Sequence, residues 1–392
     1  MGDSLLRILA GAALLCTAAG LAYTAMAIVQ TRRFRDRTTR RRPRFTVPVT
    51  VLKPLHGDEP FLHANLASFC EQDYRDYQVI FGAADANDPA LEVARRVARE
   101  HPQCDIQIIA GRAQKANNPK IGNLLGMIGA AKHSLIVIAD SDIRVGRDYL
   151  QAVASCFADE RVGAATCIYG GVPNDTFPSQ LGAMFVNDQF APSVLVARAL
   201  EPLTYCFGAT MAVRADVLAR IGGLQALADH LGDDYLLGNL VTKAGYRVEL
   251  CPYVVQTDVT ERDMRSLWLH ELRWARTIRT ARPAGYAGSI LTYVLPFSIL
   301  FALLSRSPVA AAAVVALAAT MRVLLHEEAQ KTFAPMTGTR LRLLPVRDSL
   351  SVWVWCAAFL GRRVAWRGDR YCINGDGRML SSPCKCNDYV TH

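Results

Sequence analysis

An apolar run, Leu135-Ile-Val-Ile-Ala139, ends abruptly at Asp140-Ser-Asp142, and this boundary constrains the fold more than any other stretch of the chain. A short run of aliphatic residues without polar alternation reads as a strand buried on both faces, the pattern of a parallel sheet covered by helices. Open α/β sheets bind ligands at the carboxyl ends of such strands, which is where the two acids stand. Separated by one residue, they can hold a hard divalent cation, Mg2+ or Mn2+, which in turn holds a diphosphate. That combination points to a nucleotide-sugar enzyme. The same tripeptide also fits a solvated turn, so its neighbours must decide.

The preceding sequence alternates strand and helix. Strands are expected at residues 46–55, 77–84 and 106–109, and helices at 60–71, 88–99 and 118–131, with Asp88 as an N-cap and Pro119 at a helix start. This order implies a mostly parallel sheet with right-handed crossovers. Residues 170–283 are less regular. Helices are expected at 176–200, broken near Pro192, at 233–244 and at 263–279, with strands at 206–213 and 246–256.

Membrane segments flank this region. Residues 5–29 carry one charge, Arg7, and exceed the roughly 20 residues a bilayer requires. Arg32, Arg33, Arg35, Arg37, Arg40, Arg41, Arg42 and Arg44 follow directly. This reads as an uncleaved anchor and a basic juxtamembrane linker over 30–45, with the following domain facing the cytosol by the positive-inside rule. Residues 286–304 and 308–325 are two further spans, separated by Ser305-Arg306-Ser307. Residues 350–361 are too short to cross comfortably and read as re-entrant or interfacial, which leaves the basic tail with Arg362, Arg363, Arg367 and Arg370 in the cytosol. Arg347 and Asp348 would then sit at headgroup level. The expected layout is an anchor at 5–29, a catalytic domain at 46–283, two spans within 286–325, and a cytosolic region at 326–392. The net charge of +9 lies largely in the juxtamembrane run and tail, which favours anionic lipid over nucleic acid as the partner. The eleven cysteines lack paired spacing and read as reduced thiols; Cys372 with Cys384-x-Cys386 matches no common zinc pattern.

No glycine-rich phosphate loop is present. Gly122, Gly126 and Gly129 do not form the dinucleotide fingerprint, so phosphate binding falls to a metal and to cationic side chains. Asp85, after the second strand, can accept from a ribose or base N–H, or simply hold a turn. Asp140 and Asp142 are the candidate metal ligands. Asp233 and Asp234 open a helix, where the dipole favours them; Asp234 is also placed to act as a general base. His270, Arg273 and Trp274 share about one helical turn. Arg273 can grip a phosphate, and Trp274 can wall a sugar pocket or lie at the lipid interface. Lys53 and Lys120 bring cations to the same sheet edge.

Together these stations resemble the membrane-bound, metal-dependent inverting glycosyltransferases of GT-A fold. Within them the chain looks like the ceramide glucosyltransferase family and its bacterial relative in hopanoid biosynthesis. The resemblance rests on Leu52-Lys53-Pro54-Leu55, Asp85 in Ala-Asp-Ala-Asn-Asp-Pro, Asn118-Pro119-Lys120-Ile121, Asp140 in Ala-Asp-Ser-Asp-Ile-Arg, Asp234 in Gly-Asp-Asp-Tyr, Arg273-Trp274, and Trp366 to Tyr371. It implies a UDP-sugar donor contacted by Lys53, Asp85, Lys120, Asp140 and His270, with Asp234 as base and Arg273 and Trp274 at the leaving group. It further implies a multi-pass enzyme of the bacterial inner membrane acting on a lipid hydroxyl. The expected reaction transfers N-acetylglucosamine to a polyol hopanoid; glucose transfer to ceramide is the alternative. His270 stands where relatives often carry Gln, and Asp142 where animal ceramide enzymes have glycine, which favours the bacterial branch. A polysaccharide synthase would need more spans, and a non-catalytic scaffold remains if the acids are only turn residues.

Overall fold

In the computed structural model, the described residues are 2–40, 45–334, 340–361, 363–366, 369–373 and 378–380. The chain begins with α1 (Gly2–Thr39) and then alternates: β1 (Val49–Leu55), α2 (Leu62–Cys70), β2 (Tyr77–Ala83), α3 (Ala90–Glu100), β3 (Asp105–Ala110), α4 (Pro119–Met127) and β4 (Leu135–Ile138). Then come β5 (Ile143–Arg144), α5 (Tyr149–Ser155), β6 (Val162–Pro173), α6 (Phe177–Phe185), α7 (Ala191–Leu200), β7 (Met211–Arg214), α8 (Ala215–Arg220), α9 (Asp233–Lys243) and β8 (Arg247–Val259). The chain continues through α10 (Met264–Ala281), α11 (Pro283–Gly288), α12 (Val294–Leu304), α13 (Pro308–Phe333) and α14 (Leu344–Ala358) to a small sheet of β9 (Arg363–Trp366), β10 (Asp369–Ile373) and β11 (Met379–Leu380).

Eight strands form one sheet in the order β3-β2-β1-β4-β7-β6-β8-β5. The expected parallel half is present: β3, β2, β1 and β4 all run the same way. The other half is mixed, because β7 is antiparallel to both β4 and β6, while β6 and β8 are parallel. Reversal of β7 brings its amino end, rather than its carboxyl end, to the edge where β1 and β4 finish. Asn118 caps α4 through its side-chain oxygen, which accepts from the Lys120 and Ile121 amides, and Asp88 accepts from the Ala90 amide, as the helix-start signals imply. The helix expected over 176–200 is continuous but contains one π-turn, Val186–Phe190. Pro192, which has no N–H to donate, follows directly.

Helices α1 and α13 are long and apolar enough to cross a membrane. The span expected at 286–304 is instead broken: the α11 segment and α12 meet at 57°. Tyr293 leaves helical geometry there, and Pro296 restarts the helix near its first turn. The residues expected to be a basic linker also differ. Helix α1 continues through them to Thr39, because Arg32 and Arg35 pair with Glu328 of α13 and Arg37 with Glu249 of β8. Phe34 and Phe333, from α1 and α13, join the core on one face of the sheet beside Leu52, Ile136 and Ile168. The apolar helices and the catalytic domain therefore share packed surface.

Arg347 and Asp348, expected at headgroup level, are buried in protein. Arg347, fully buried, makes a two-pronged pair with Glu271 of α10 at 2.6 and 2.8 Å and donates to the Leu181 carbonyl. Asp348 pairs with Arg322 of α13 at 2.9–3.2 Å. Asp188, in the π-turn, accepts from His326 at 2.6 Å. Four elements of the membrane-proximal half are thus pinned together by buried charge. Cys16, Cys70, Cys104, Cys156, Cys167, Cys206, Cys251 and Cys356 are free thiols; Cys384 and Cys386 lie outside the described residues, as do Arg41, Arg42, Arg44, Arg362, Arg367 and Gly368.

Candidate active site

The carboxyl edge of β1 and β4, the amino end of β7 and helices α6, α9 and α10 enclose a cleft of about 510 Å3, within the size range of small-molecule sites. Its polar half is built around Gly208. A Cβ placed there would lie 2.9 Å from Asp140 Oδ2, 3.5 Å from Lys120 Nζ and 3.7 Å from Asp234 Oδ2. Residues from three separate segments therefore converge on one glycine, and only the absence of a side chain allows the approach. The Gly208 amide donates to Asp234 Oδ2 at 2.9 Å.

Lys120 is the central cation. Its Nζ lies 2.8 Å from Asp140 Oδ1 and 3.2 Å from Asp233 Oδ2. Burial opposes its charge, but Asp140, Asp233 and Asp234 outweigh that, and the ammonium is held well above the usual lysine range. Asp234 is pushed the other way for a carboxylate. Burial and the neighbouring Asp233 charge raise it to about 6, while Lys120 and the Tyr235 amide draw it down. A carboxyl near 6 is ionised at neutral pH yet basic enough to take a proton.

Asp142 lies one residue beyond Ser141. The pairing of Ile143 with Thr257 across β5 and β8 sets its Oδ2 2.9 Å from Thr257 Oγ1. Burial, then the Asp140 charge, raises its carboxyl. The crowded acids fit a divalent cation: each keeps a second oxygen outside the bonds just named, and positive charge would relieve both burial and repulsion. Among the described residues no group of three or more His, Cys, Asp or Glu gathers to hold a metal. Two protein carboxylates would leave the remaining positions to phosphate oxygens and water, as Mg2+ commonly requires.

The other half of the cleft is aromatic. Trp274 packs against Tyr169, Phe185 and Phe190 with ring centres 6.0–6.4 Å apart. His270 meets it edge-on at 4.6 Å, and its Nδ1 lies 2.5 Å from Glu261 Oε1. Arg273 lines the same cavity.

Lys120, Asp140, Asp142, Asp234, His270, Arg273 and Trp274 thus share the cleft. Two expected donor contacts lie outside its lining. Lys53 is buried beneath it, with Nζ donating to the carbonyls of Asp140 and Ile143 and lying 4.0 Å from the Phe69 ring centre; burial lowers its ammonium to about 7 despite Asp142 and Asp140. It braces the loop that carries the two acids. Asp85 is exposed on the turn after β2 and accepts from the Asn87 amide. Sequence reasoning missed Gly208, Tyr169, Thr257 and Glu261. Gly208, a glycine inside an expected strand, was the one with a readable signal. The segment from Trp366 to Tyr371 falls partly outside the described residues.

The pattern described as glycosyl transferase family 21 matches residues 12–379. Ceramide glucosyltransferase 1 of Caenorhabditis elegans is 26% identical over 207 residues, 52% of this chain and 44% of that protein. Ceramide glucosyltransferase 3 of the same organism is 20% identical over 346 residues, 86% of this chain and 75% of that protein. The chain thus spans less than half the length of the first of these relatives. Among solved structures, a mannosyltransferase from Pyrobaculum calidifontis in complex with GDP-Man and Mn2+ superposes with a TM-score of 0.50 at 19% identity, covering 90% of this chain and 99% of that one. That likeness establishes a shared glycosyltransferase fold.

Proposed function

Since the chain belongs to glycosyl transferase family 21, we propose that it transfers a sugar from a UDP-sugar to the hydroxyl of a membrane lipid with inversion. The observation that carries this reading is the convergence on Gly208 of Asp140, Lys120 and Asp234, in a cleft whose opposite wall is aromatic and whose domain shares its core with two membrane-length helices.

The donor diphosphate lies on the polar half. Asp140 and Asp142 would hold a divalent cation there, which supplies Lewis-acid stabilisation of diphosphate charge when bound. Lys120 fixes Asp140 and Asp233 in place and adds permanent positive charge. Arg273 contacts the leaving group through its guanidinium. Asp234 takes the proton of the lipid hydroxyl as its oxygen attacks the anomeric carbon. The bond from that carbon to the diphosphate oxygen breaks, and UDP leaves with the electron pair. Attack from the face opposite the diphosphate converts an α-linked donor into a β-glycoside. The acceptor arrives along the aromatic half, between α6 and α10.

Two acceptors are favoured by different observations. The name shared by the relatives favours glucose transfer to ceramide. The paired carboxylates Asp140 and Asp142 favour the bacterial branch, N-acetylglucosamine transfer to a polyol hopanoid at a cytosol-facing site of the inner membrane. Membranes incubated with labelled UDP-glucose or UDP-N-acetylglucosamine and each lipid decide between them. The Asp234→Asn variant tests the reading as a whole. Transfer should fall by about 100-fold or more while donor binding persists; unchanged turnover removes Asp234 as base.

A further inference from the structure

Glu261 follows β8 by two residues and precedes α10. Its backbone carbonyl accepts from Thr176 Oγ1 at 2.6 Å, tying the loop to the start of α6. Its side chain, 11% exposed, reaches one target, His270 Nδ1 at 2.5 Å. Its second oxygen is buried with no hydrogen-bond partner. A desolvated carboxylate with one partner is costly to maintain, and core packing alone would favour an apolar residue there. An ionised carboxylate only accepts, so His270 Nδ1 carries the proton, and in the neutral imidazole Nε2 is the ring's acceptor. The ring lines the cleft and is 37% exposed.

The position of this pair matters. His270 packs edge-on against Trp274, which itself packs on Tyr169, Phe185 and Phe190. Those rings form the wall along which the acceptor enters, so a ligand group meeting Nε2 belongs to the lipid. Resting on the lipid-transfer reading above, we infer that Glu261 is a positioning residue that locks His270 as a hydrogen-bond acceptor, and that the pair selects lipids carrying a second donor, a hydroxyl or amide N–H, beside the reacting hydroxyl. Glu261→Gln tests the tautomer directly. Its amide can donate to Nδ1, which moves the ring proton to Nε2 and turns the acceptor into a donor.

The experiment compares whichever lipid supports turnover with its analogue in which the neighbouring donor is methylated, measuring kcat/KM in detergent micelles. One hydrogen bond to the pair predicts about a 10-fold preference for the unmethylated lipid in the native protein. In Glu261→Gln the preference should collapse to within about 2-fold, through a raised KM for the lipid, while the dissociation constant of UDP-sugar stays constant. Should Glu261→Gln fail to fold, His270→Leu, which removes the acceptor, reads the same ratio. A native ratio near one, a ratio that survives both substitutions, or a change confined to donor affinity overturns the inference. Absence of turnover with every lipid overturns the lipid-transfer reading itself, and so separates the two failures.

Discussion

Replacing Lys120 by glutamine removes a buried cation from beside three carboxylates, and the consequence for Asp234 follows from the geometry. Lys120 Nζ and Asp234 Oδ2 both lie within 3.7 Å of the point where a Gly208 Cβ would stand. They are therefore at most about 7 Å apart, and two unit charges at that distance interact by roughly 2 kcal/mol at an effective dielectric near 20. At about 1.4 kcal/mol per pH unit, losing Lys120 raises the Asp234 carboxyl from about 6 to between roughly 7 and 8. A general base works as the carboxylate, so activity is present above its pKa and lost as the pH falls through it. The acid limb of kcat/KM for UDP-sugar, measured at saturating divalent cation, should thus move upward by about one to two pH units in Lys120→Gln. The plateau above pH 8 also drops, since Lys120 holds Asp140, but only the limb's position reports on Asp234. A limb that stays near 6 refutes either the coupling of Lys120 to Asp234 or the assignment of Asp234 as base. Asp234→Asn then distinguishes these, because only the second failure leaves turnover intact.

Gly208→Ala should keep the fold within about 1 kcal/mol, because the Asp140 carboxylate it meets at 2.9 Å can swing aside. Turnover should fall about 100-fold as that carboxylate is displaced, and a paired thermal melt and rate measurement reads both. Glu271→Gln leaves the fully buried Arg347 without its charge partner and should cost about 3–5 kcal/mol in detergent unfolding. The double variant Glu271→Leu/Arg347→Met should recover a large part of that loss, and an additive cost would refute the pairing. EDTA should abolish transfer and Mn2+ or Mg2+ restore it; full activity without divalent ions would remove Asp140 and Asp142 as ligands.

Much of the catalytic edge was legible in the chain because strand periodicity and strand ends are local properties. Four parallel strands, the helix start at Asn118-Pro119 and the position of Asp140 and Asp142 at a strand terminus all follow from runs of apolar residues interrupted by turn-forming ones. Local signals of this kind also mark α1 and α13 as membrane-length helices. Pairing partners are different, because they depend on contacts between residues far apart in sequence. Reversal of β7 delivers Gly208 to Asp140, and that reversal is set by how β7 packs between β4 and β6. The continuation of α1 through its arginines and the burial of Arg347 are decided by partners far away in sequence: Glu328 lies 296 positions from Arg32, and Glu271 lies 76 from Arg347.

The sequence by itself determined which chemistry is available: two acids at a strand end, a lysine at a helix start, a second pair of acids and an Arg-Trp helix, set between apolar spans. The tertiary structure decided which of these meet. Lys120 enters the cleft while Lys53, an equally plausible cation in the chain, is buried beneath it on the Asp140 and Ile143 carbonyls. Glu261, silent in the sequence, becomes the partner of His270. The physical reason is that charge acts over a few ångströms through space, and only the fold sets those distances.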